Sequence, residues 1–274
     1  MVRLLQIELI KIWSNKSSRF LIISYFGLLM LLFLFSMVKI DFGDFEFHLA
    51  KQGIFDFPYI WHFNTYIADY FKLFLAIIIV SMIANEYSNK TLKQNLIDGL
   101  SKKEFVLSKF LTTVLFALIS TVMVFIISMI LGLIYSSFDE LGIIFSQVEF
   151  LPAYFLKLVG FFSICLFFAV LTQKSAFSLG FLTLWYIAES IISGISSYND
   201  HNLNFLVRIL PLKTMGNLIK EPFTRMSGVQ IAANQVGVEL SGEYGVSLID
   251  VMITSIWIGI FIYFSYFLIK RRDL

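Results

Sequence analysis

Long apolar runs constrain this chain more than any other feature of its sequence. Six runs have about the 20 residues that an α-helix needs to cross a bilayer, and they carry few charges or none. They are Phe20–Val38, Tyr66–Ala84, Phe110–Tyr135, Phe150–Leu171, Ala176–Ile195 and Val251–Ile269. Charged residues form 15% of the chain, against about 25% in soluble domains. The sequence therefore predicts an all-α, polytopic membrane protein with six transmembrane helices in a single domain, 1–274.

Lysine and arginine residues near the ends of the spans predict the orientation of the chain. With the N-terminus in the cytoplasm, the two shorter outer loops hold only Lys39 and Lys51. Thirteen basic residues then lie inside: Arg3, Lys11, Lys16, Arg19, Lys90, Lys93, Lys102, Lys103, Lys109, Lys174, Lys270, Arg271 and Arg272. We therefore expect both termini to be cytoplasmic. No small-residue cleavage site follows the first run, so we expect it to be an uncleaved span.

Two segments outside the spans carry helical signals. In the N-terminal segment 1–18, one apolar stripe is formed by Leu5, Leu9, Ile12 and Trp13, while Arg3, Glu8, Lys11 and Asn15 lie elsewhere around the helix. This pattern predicts an interfacial helix, the alternative being an ordinary basic flank. The outer segment 196–250 is too apolar for a free loop, and we expect short interfacial or re-entrant helices in it.

Motifs for chemistry are missing from the sequence. It has no Gly-x-x-x-x-Gly-Lys-Ser/Thr phosphate loop, no His-Glu-x-x-His and no Gly-x-Ser-x-Gly. The pair His48 and His62 offers a metal site, but dispersed histidines are more often inert, so we expect no metal. The only cysteine, Cys165, lies in an apolar run and is best interpreted as a small buried side chain. A net charge of +2 gives no support for nucleic-acid binding.

The loop 85–105 is the most informative stretch. Leu92, Leu96 and Leu100 repeat every four residues, with mostly polar residues between them. Gly99 is suited to end a short helix, and Ser101 with Glu104 forms a capping box that starts the next one. The pattern predicts a short amphipathic helix between two spans. Its apolar stripe then requires the membrane surface or a soluble partner.

This loop resembles the cytoplasmic segment of ABC-2 type transporter permeases. The matching positions are Asn85, Glu86, Tyr87, Thr91, Leu92, Ser101, Lys102, Lys103, Glu104 and Lys109. The departure is Lys90, where many members of that family have glycine before the Thr-Leu pair. The resemblance extends in outline to the whole chain, through the N-terminal helix, the six spans and the apolar outer segment.

The resemblance implies a permease subunit of an ATP-binding cassette exporter, not an enzyme. Two permeases, either two copies or two related chains, pair in such a transporter and each contacts an ATPase subunit. ATP and Mg²⁺ are then bound by that partner, so no cofactor is expected in this chain. The implied coupling residues are Glu86, Tyr87, Thr91, Leu92 and Leu96. The alternative is a membrane assembly or scaffold protein whose loop docks a non-ATPase partner.

Four charges lie inside the predicted spans, at a similar depth in the outer leaflet. Asp69 and Lys72 are spaced to pair on one helix face, and Lys157 and Glu189 are placed to pair across the hairpin of the fourth and fifth spans. Intramembrane charges usually face the protein interior or water. They either hold the bundle together or line the outer part of a transport path, and the sequence leaves both possibilities open.

Overall fold

The chain is built from helices with one short β-hairpin. The computed structural model describes residues 2–35, 39–42, 45–48, 53–138, 140–198, 204–235, 237, 242 and 244–272. The helices are α1 Val2–Ser14, α2 Lys16–Phe35, α3 Tyr59–Asp69, α4 Lys72–Ser88, α5 Thr91–Ile97, α6 Lys102–Tyr135, α7 Leu141–Ile144, α8 Phe150–Thr172, α9 Ser175–Tyr198, α10 Asn204–Ile209, α11 Pro211–Asn217, α12 Ser227–Gln235 and α13 Leu248–Arg271. The predicted all-α fold class is confirmed.

Four of the described helices, α6, α8, α9 and α13, are long and apolar enough to cross a membrane. A fifth is present if α3 and α4, which meet at a bend of 46°, form one broken span. The predicted second span, Tyr66–Ala84, therefore contains a break that its apolar content did not reveal. The first predicted span corresponds to α2, which has 20 residues.

Helix α8 forms the centre of the bundle. It packs against α3, α4, α6, α9, α11 and α13, and 72% of its most apolar stretch is buried inside the chain. The other spans are far more exposed on the outside of the bundle, as expected where lipid is the solvent. Gly160 lets α11 and α13 approach α8 closely, because a Cβ there would lie 2.8 Å from Met215 and 3.2 Å from Thr254.

The connection between the first two predicted spans contains structure that the sequence did not predict. Strands β1 (Lys39–Phe42) and β2 (Phe45–His48) pair antiparallel, with Lys39 opposite His48. The segment 196–250 holds α10, α11, a 3₁₀ turn at Phe223–Arg225 and α12, so short helices do precede the last candidate span.

Helix α1 uses its faces differently from the prediction. Ile12 is buried against the rest of the chain, and Glu8 is buried on the same side. Trp13 is instead half exposed, together with Ile7 and Ile10. The bundle therefore covers Ile12 of the predicted stripe, while Trp13 and a neighbouring apolar face stay exposed.

Packing at Gly132 of α6 yields a test of the helix arrangement. A Cβ at this position would lie 2.2 Å from the ring of buried Phe57. We expect Gly132→Ala to lower the unfolding free energy by about 1–3 kcal/mol, because the ring has to move. The measurement is unfolding by SDS titration from mixed micelles.

The matched control is Gly27→Ala in α2, where a Cβ meets no atom within 4 Å. This change should be neutral, or stabilising by up to about 1 kcal/mol through lost chain entropy. Equal effects of the two substitutions would contradict the contact between Phe57 and α6.

Candidate functional site

Glu86, in the last turn of α4, is the centre of a buried ionic network. Its carboxylate accepts hydrogen bonds from Lys11 Nζ of α1 at 2.9 Å and from Lys109 Nζ of α6 at 2.8 Å. Thr91 Oγ1, at the start of α5, donates to it at 2.5 Å. Lys109 also contacts Glu8 of α1, and only 1% of its side chain is exposed. Four helices are thus joined through one carboxylate.

The charges of this network are balanced. Two carboxylates, Glu8 and Glu86, face two ammonium groups, those of Lys11 and Lys109. Burial disfavours the charged form of Lys11, but its hydrogen bond to Glu86 and the charge of Glu8 outweigh that effect and raise the pKa of Lys11. Removing one member of such a buried set typically costs about 3–5 kcal/mol, because a partner is left unpaired.

The backbone around α5 follows the predicted break and restart. Gly99 has a φ of +101° and ends the short helix. Ser101 and Glu104 form the capping box that begins α6. Lys90, just before α5, adopts left-handed geometry with φ 56°. This is the conformation that glycine adopts without strain, which accounts for the glycine that the resembling permeases have at this position.

The leucine stripe of α5 faces the chain itself, which corrects the sequence-based expectation that it is free to bind a partner. Leu92 is 2% exposed, and Leu96 and Leu100 pack against the core. Ile97 is instead 75% exposed. The turn of the helix directs Leu92 and Leu96 onto the neighbouring spans, a direction that depends on tertiary packing and not on local spacing.

Tyr87 lies beside the C-terminal end of the chain. Arg272 donates to the carbonyl oxygens of Val170 and Leu171 at the end of α8, and its guanidinium lies 6.0 Å from the Tyr87 ring. Lys102 Nζ donates to the carbonyl of Arg272 at 2.8 Å. Helix α1, the loop with α5 and the C-terminal end therefore gather at one end of the bundle, which we call the α5 end.

A cavity of about 900 Å³ lies at the other end of α4, beside α11. We call this the α11 end. All four intramembrane charges singled out in the sequence line this cavity: Asp69, Lys72, Lys157 and Glu189. Two of them, Asp69 and Lys72, flank the bend between α3 and α4. The structure thus brings together residues from three different predicted spans.

Asp69 pairs with both lysines of the cavity. Lys72 Nζ lies 2.7 Å and Lys157 Nζ 3.1 Å from the same oxygen, Asp69 Oδ2. The predicted pairing of Asp69 with Lys72 is therefore present. The predicted pairing of Lys157 with Glu189 is not, because Lys157 on α8 reaches across to α3 instead of to α9.

Glu189 is instead engaged by the start of α11. Its carboxylate accepts hydrogen bonds from the backbone N–H groups of Leu212 at 3.2 Å and Lys213 at 3.0 Å. Trp185 Nε1, one helical turn away, donates to it at 2.5 Å. A negative charge is favourable at a helix N-terminus, whose first N–H groups have no partner within the helix. Pro211 at the first position of α11 was the only local signal for this helix start.

The described residues give no support for a metal site that includes His62. His62 stacks on Phe150 with ring centroids 4.2 Å apart, and its Nε2 lies 2.9 Å from the carbonyl oxygen of Lys220. No group of three His, Cys, Asp or Glu side chains that would suit a metal ion occurs in the described part of the chain. The side chain of His48 and the whole of His201 lie outside the described residues.

Comparison with known proteins identifies a family whose function is unknown. A family model described as "Protein of unknown function (DUF2705)" matches residues 22–274. No curated protein matches the chain.

A double-mutant cycle tests the pairing in the cavity. Lys157→Met and Asp69→Asn should be coupled by about 1–3 kcal/mol in unfolding free energy, because the two side chains share an ion pair. Lys157→Met and Glu189→Gln should add within about 0.5 kcal/mol. SDS titration of the wild type, the three single variants and the two double variants provides the six unfolding free energies that the two cycles need. Strong coupling between positions 157 and 189 would instead restore the predicted hairpin pair.

Proposed function

The chain belongs to the DUF2705 family, and we propose that it is the permease subunit of an ABC-2 type exporter that works with a separate ATPase subunit. The observation that carries this proposal is the junction at Glu86. A transporter driven by a separate ATPase needs a surface helix whose displacement reaches the spans. Helix α5 meets this need because Glu86, Thr91 and Lys109 connect it to α4 and α6.

The partner-binding face of α5 is the side opposite to the leucines. Lys93, Gln94 and Ile97 are exposed there, and the side chain of Ile97 is the large apolar group among them. A groove on an ATPase that accepts one aliphatic side chain beside a lysine fits this face. In this proposal Ile97 contacts the ATPase, and Leu92 and Leu96 pass the resulting displacement of α5 to the helices of the bundle.

The membrane arrangement follows from this assignment. We propose that α2 is a sixth span, that the α5 end faces the cytoplasm and that the cavity lies in the outer leaflet of the bacterial inner membrane. Thirteen basic residues near the α5 end support this orientation. A second permease, identical or related, completes the transporter, and the ATPase subunits bind ATP and Mg²⁺.

The alternative function is a membrane scaffold that docks a non-ATPase protein through α5. The exposed face of α5 suits either role. The cavity favours transport, because a scaffold has no need for buried charges around 900 Å³ of open space within a bundle.

Photo-crosslinking from Ile97 tests the partner. With p-benzoylphenylalanine at Ile97, we expect an adduct with a chain that contains a Gly-x-x-x-x-Gly-Lys-Ser/Thr motif, identified by peptide sequencing. The control is the same group at Ile130 of α6, which is 52% exposed on a span and should face lipid. Ile97→Asp should reduce co-purified ATPase activity about 10-fold, whereas Leu92→Asp should impair folding itself. Adducts at position 97 with non-ATPase chains alone would favour the scaffold.

Cysteine labelling tests the orientation. In a Cys165→Ala background, an impermeant thiol reagent applied to intact cells should label a cysteine at exposed Glu140, between α6 and α7, and spare one at exposed Lys93. After the membrane is permeabilised, both should react. Labelling of position 93 in intact cells would reverse the topology.

A further inference from the structure

We propose that the cavity at the α11 end binds an amphiphile with one anionic head group, such as a phosphate or carboxylate, and an apolar chain. This inference deepens the proposed function by naming a substrate class, and it rests on that function for the direction of transport alone. Binding itself depends only on residues of this chain.

The size of the cavity is suited to a ligand. A volume of about 900 Å³ is close to the upper end of the range in which small-molecule sites occur, about 300–1,000 Å³. Its walls come from elements far apart in the sequence: the bend between α3 and α4, the middle of α8, the outer part of α9 and the helix α11.

The charges of the cavity leave a positive excess around Asp69. Lys72 and Lys157 share one carboxylate oxygen of Asp69, so two ammonium groups face one acid. Each ammonium has three N–H donors and, among the described residues, directs one of them to Asp69. The charge of Glu189 is already engaged by the start of α11. An anionic group of a ligand would supply the missing acceptor.

The rest of the lining keeps this excess. Lys213, Lys220 and Glu221 also border the cavity, so that four lysines in all face three carboxylates. In addition, Asp69 Oδ1 is buried and has no hydrogen-bond partner. A hydroxyl or protonated phosphate oxygen beside the anionic group would donate a hydrogen bond to this atom, which is otherwise an unsatisfied buried acceptor.

The apolar lining of the cavity indicates that the ligand carries an apolar hydrocarbon chain. Phe161 and Leu182 are buried and line the cavity, and Lys72 Nζ lies 4.7 Å from the centre of the Phe161 ring. Leu73 and Tyr186 also line it but are 53% and 63% exposed. Both belong to helices that are candidate spans, so the cavity opens sideways onto the surface that lipid covers. A ligand with an apolar chain can enter there from the bilayer with its head group directed at the lysines.

Equilibrium dialysis on the purified chain tests the proposal without any ATPase. The chain is held in a neutral maltoside detergent at fixed micelle concentration, and dodecyl phosphate is the probe. We expect one bound molecule per chain, with about 10-fold weaker binding of dodecyltrimethylammonium, which has the same chain and the opposite charge. Lys72→Gln should lower the affinity for dodecyl phosphate about 10-fold. Lys16→Gln at the start of α2, the same change at an exposed lysine that does not line the cavity, should have no effect.

Three results would overturn the inference. Equal binding of the two dodecyl probes would show that head-group charge is not recognised, as would unchanged binding to Lys72→Gln. Displacement of dodecyl phosphate by inorganic phosphate at equal concentration would show an anion site that makes no use of the apolar wall. Lys72→Arg, which keeps the charge, serves as the folded comparison and should retain binding. Positive binding in a chain that captures no ATPase would overturn the proposed function but not this site.

Discussion

The burial of ionic groups in an apolar bundle is the constraint on which the rest of this structure depends. Charges inside a membrane protein are tolerated only where partners or water compensate for lost hydration. In this chain each cluster of charges includes a point where a helix breaks, ends or begins. Glu86 lies at the end of α4, Asp69 and Lys72 flank the bend before it, and Glu189 meets the start of α11. Helix ends bring free backbone donors and changes of direction, which let distant side chains converge.

Helix α4 links the two charged regions mechanically. It has 17 residues, about 25 Å at 1.5 Å per residue, with Lys72 at its first residue and Glu86 in its last turn. Nine of its side chains are buried, so it has little freedom to bend within the bundle. In the proposed transporter, a displacement of α5 that reached Glu86 would shift or tilt α4 as a rigid helix, and the cavity wall at Asp69 and Lys72 would move with it. The bend at Tyr70 and Phe71 is where the proposal expects the change of angle.

Local signals predicted the parts of this fold that neighbouring residues determine. The capping box at Ser101, the helix end at Gly99 and the Asp69–Lys72 pair all arise within four residues of sequence, and all are present. The partner of Lys157 was predicted wrongly, since it depends on which helix faces α8. The same holds for Glu189, which accepts hydrogen bonds from backbone groups 23 and 24 residues away in addition to that from nearby Trp185. A pattern of side chains in the sequence does not show which distant backbone N–H group will donate to a carboxylate.

Local spacing also failed to predict which side of α5 faces outward. Spacing placed Leu92, Leu96 and Leu100 on one stripe but could not tell whether that stripe contacts the bundle or a partner. In the structure the stripe packs inward, and the single apolar interruption on the polar side, Ile97, becomes the exposed group.

The two ionic clusters differ in charge balance, and this difference is the physical basis for proposing that one connects helices and the other binds a ligand. At the α5 end two carboxylates match two ammonium groups, and Thr91 adds a further hydrogen bond to Glu86. Such a cluster has no excess charge for a ligand to neutralise, and its ion pairs hold the helices together. At the α11 end two ammonium groups share a single oxygen, and the other oxygen of the same carboxylate has no partner. An arrangement that incomplete is stable in a bundle only beside water or a ligand, and the open cavity next to it provides the space for either.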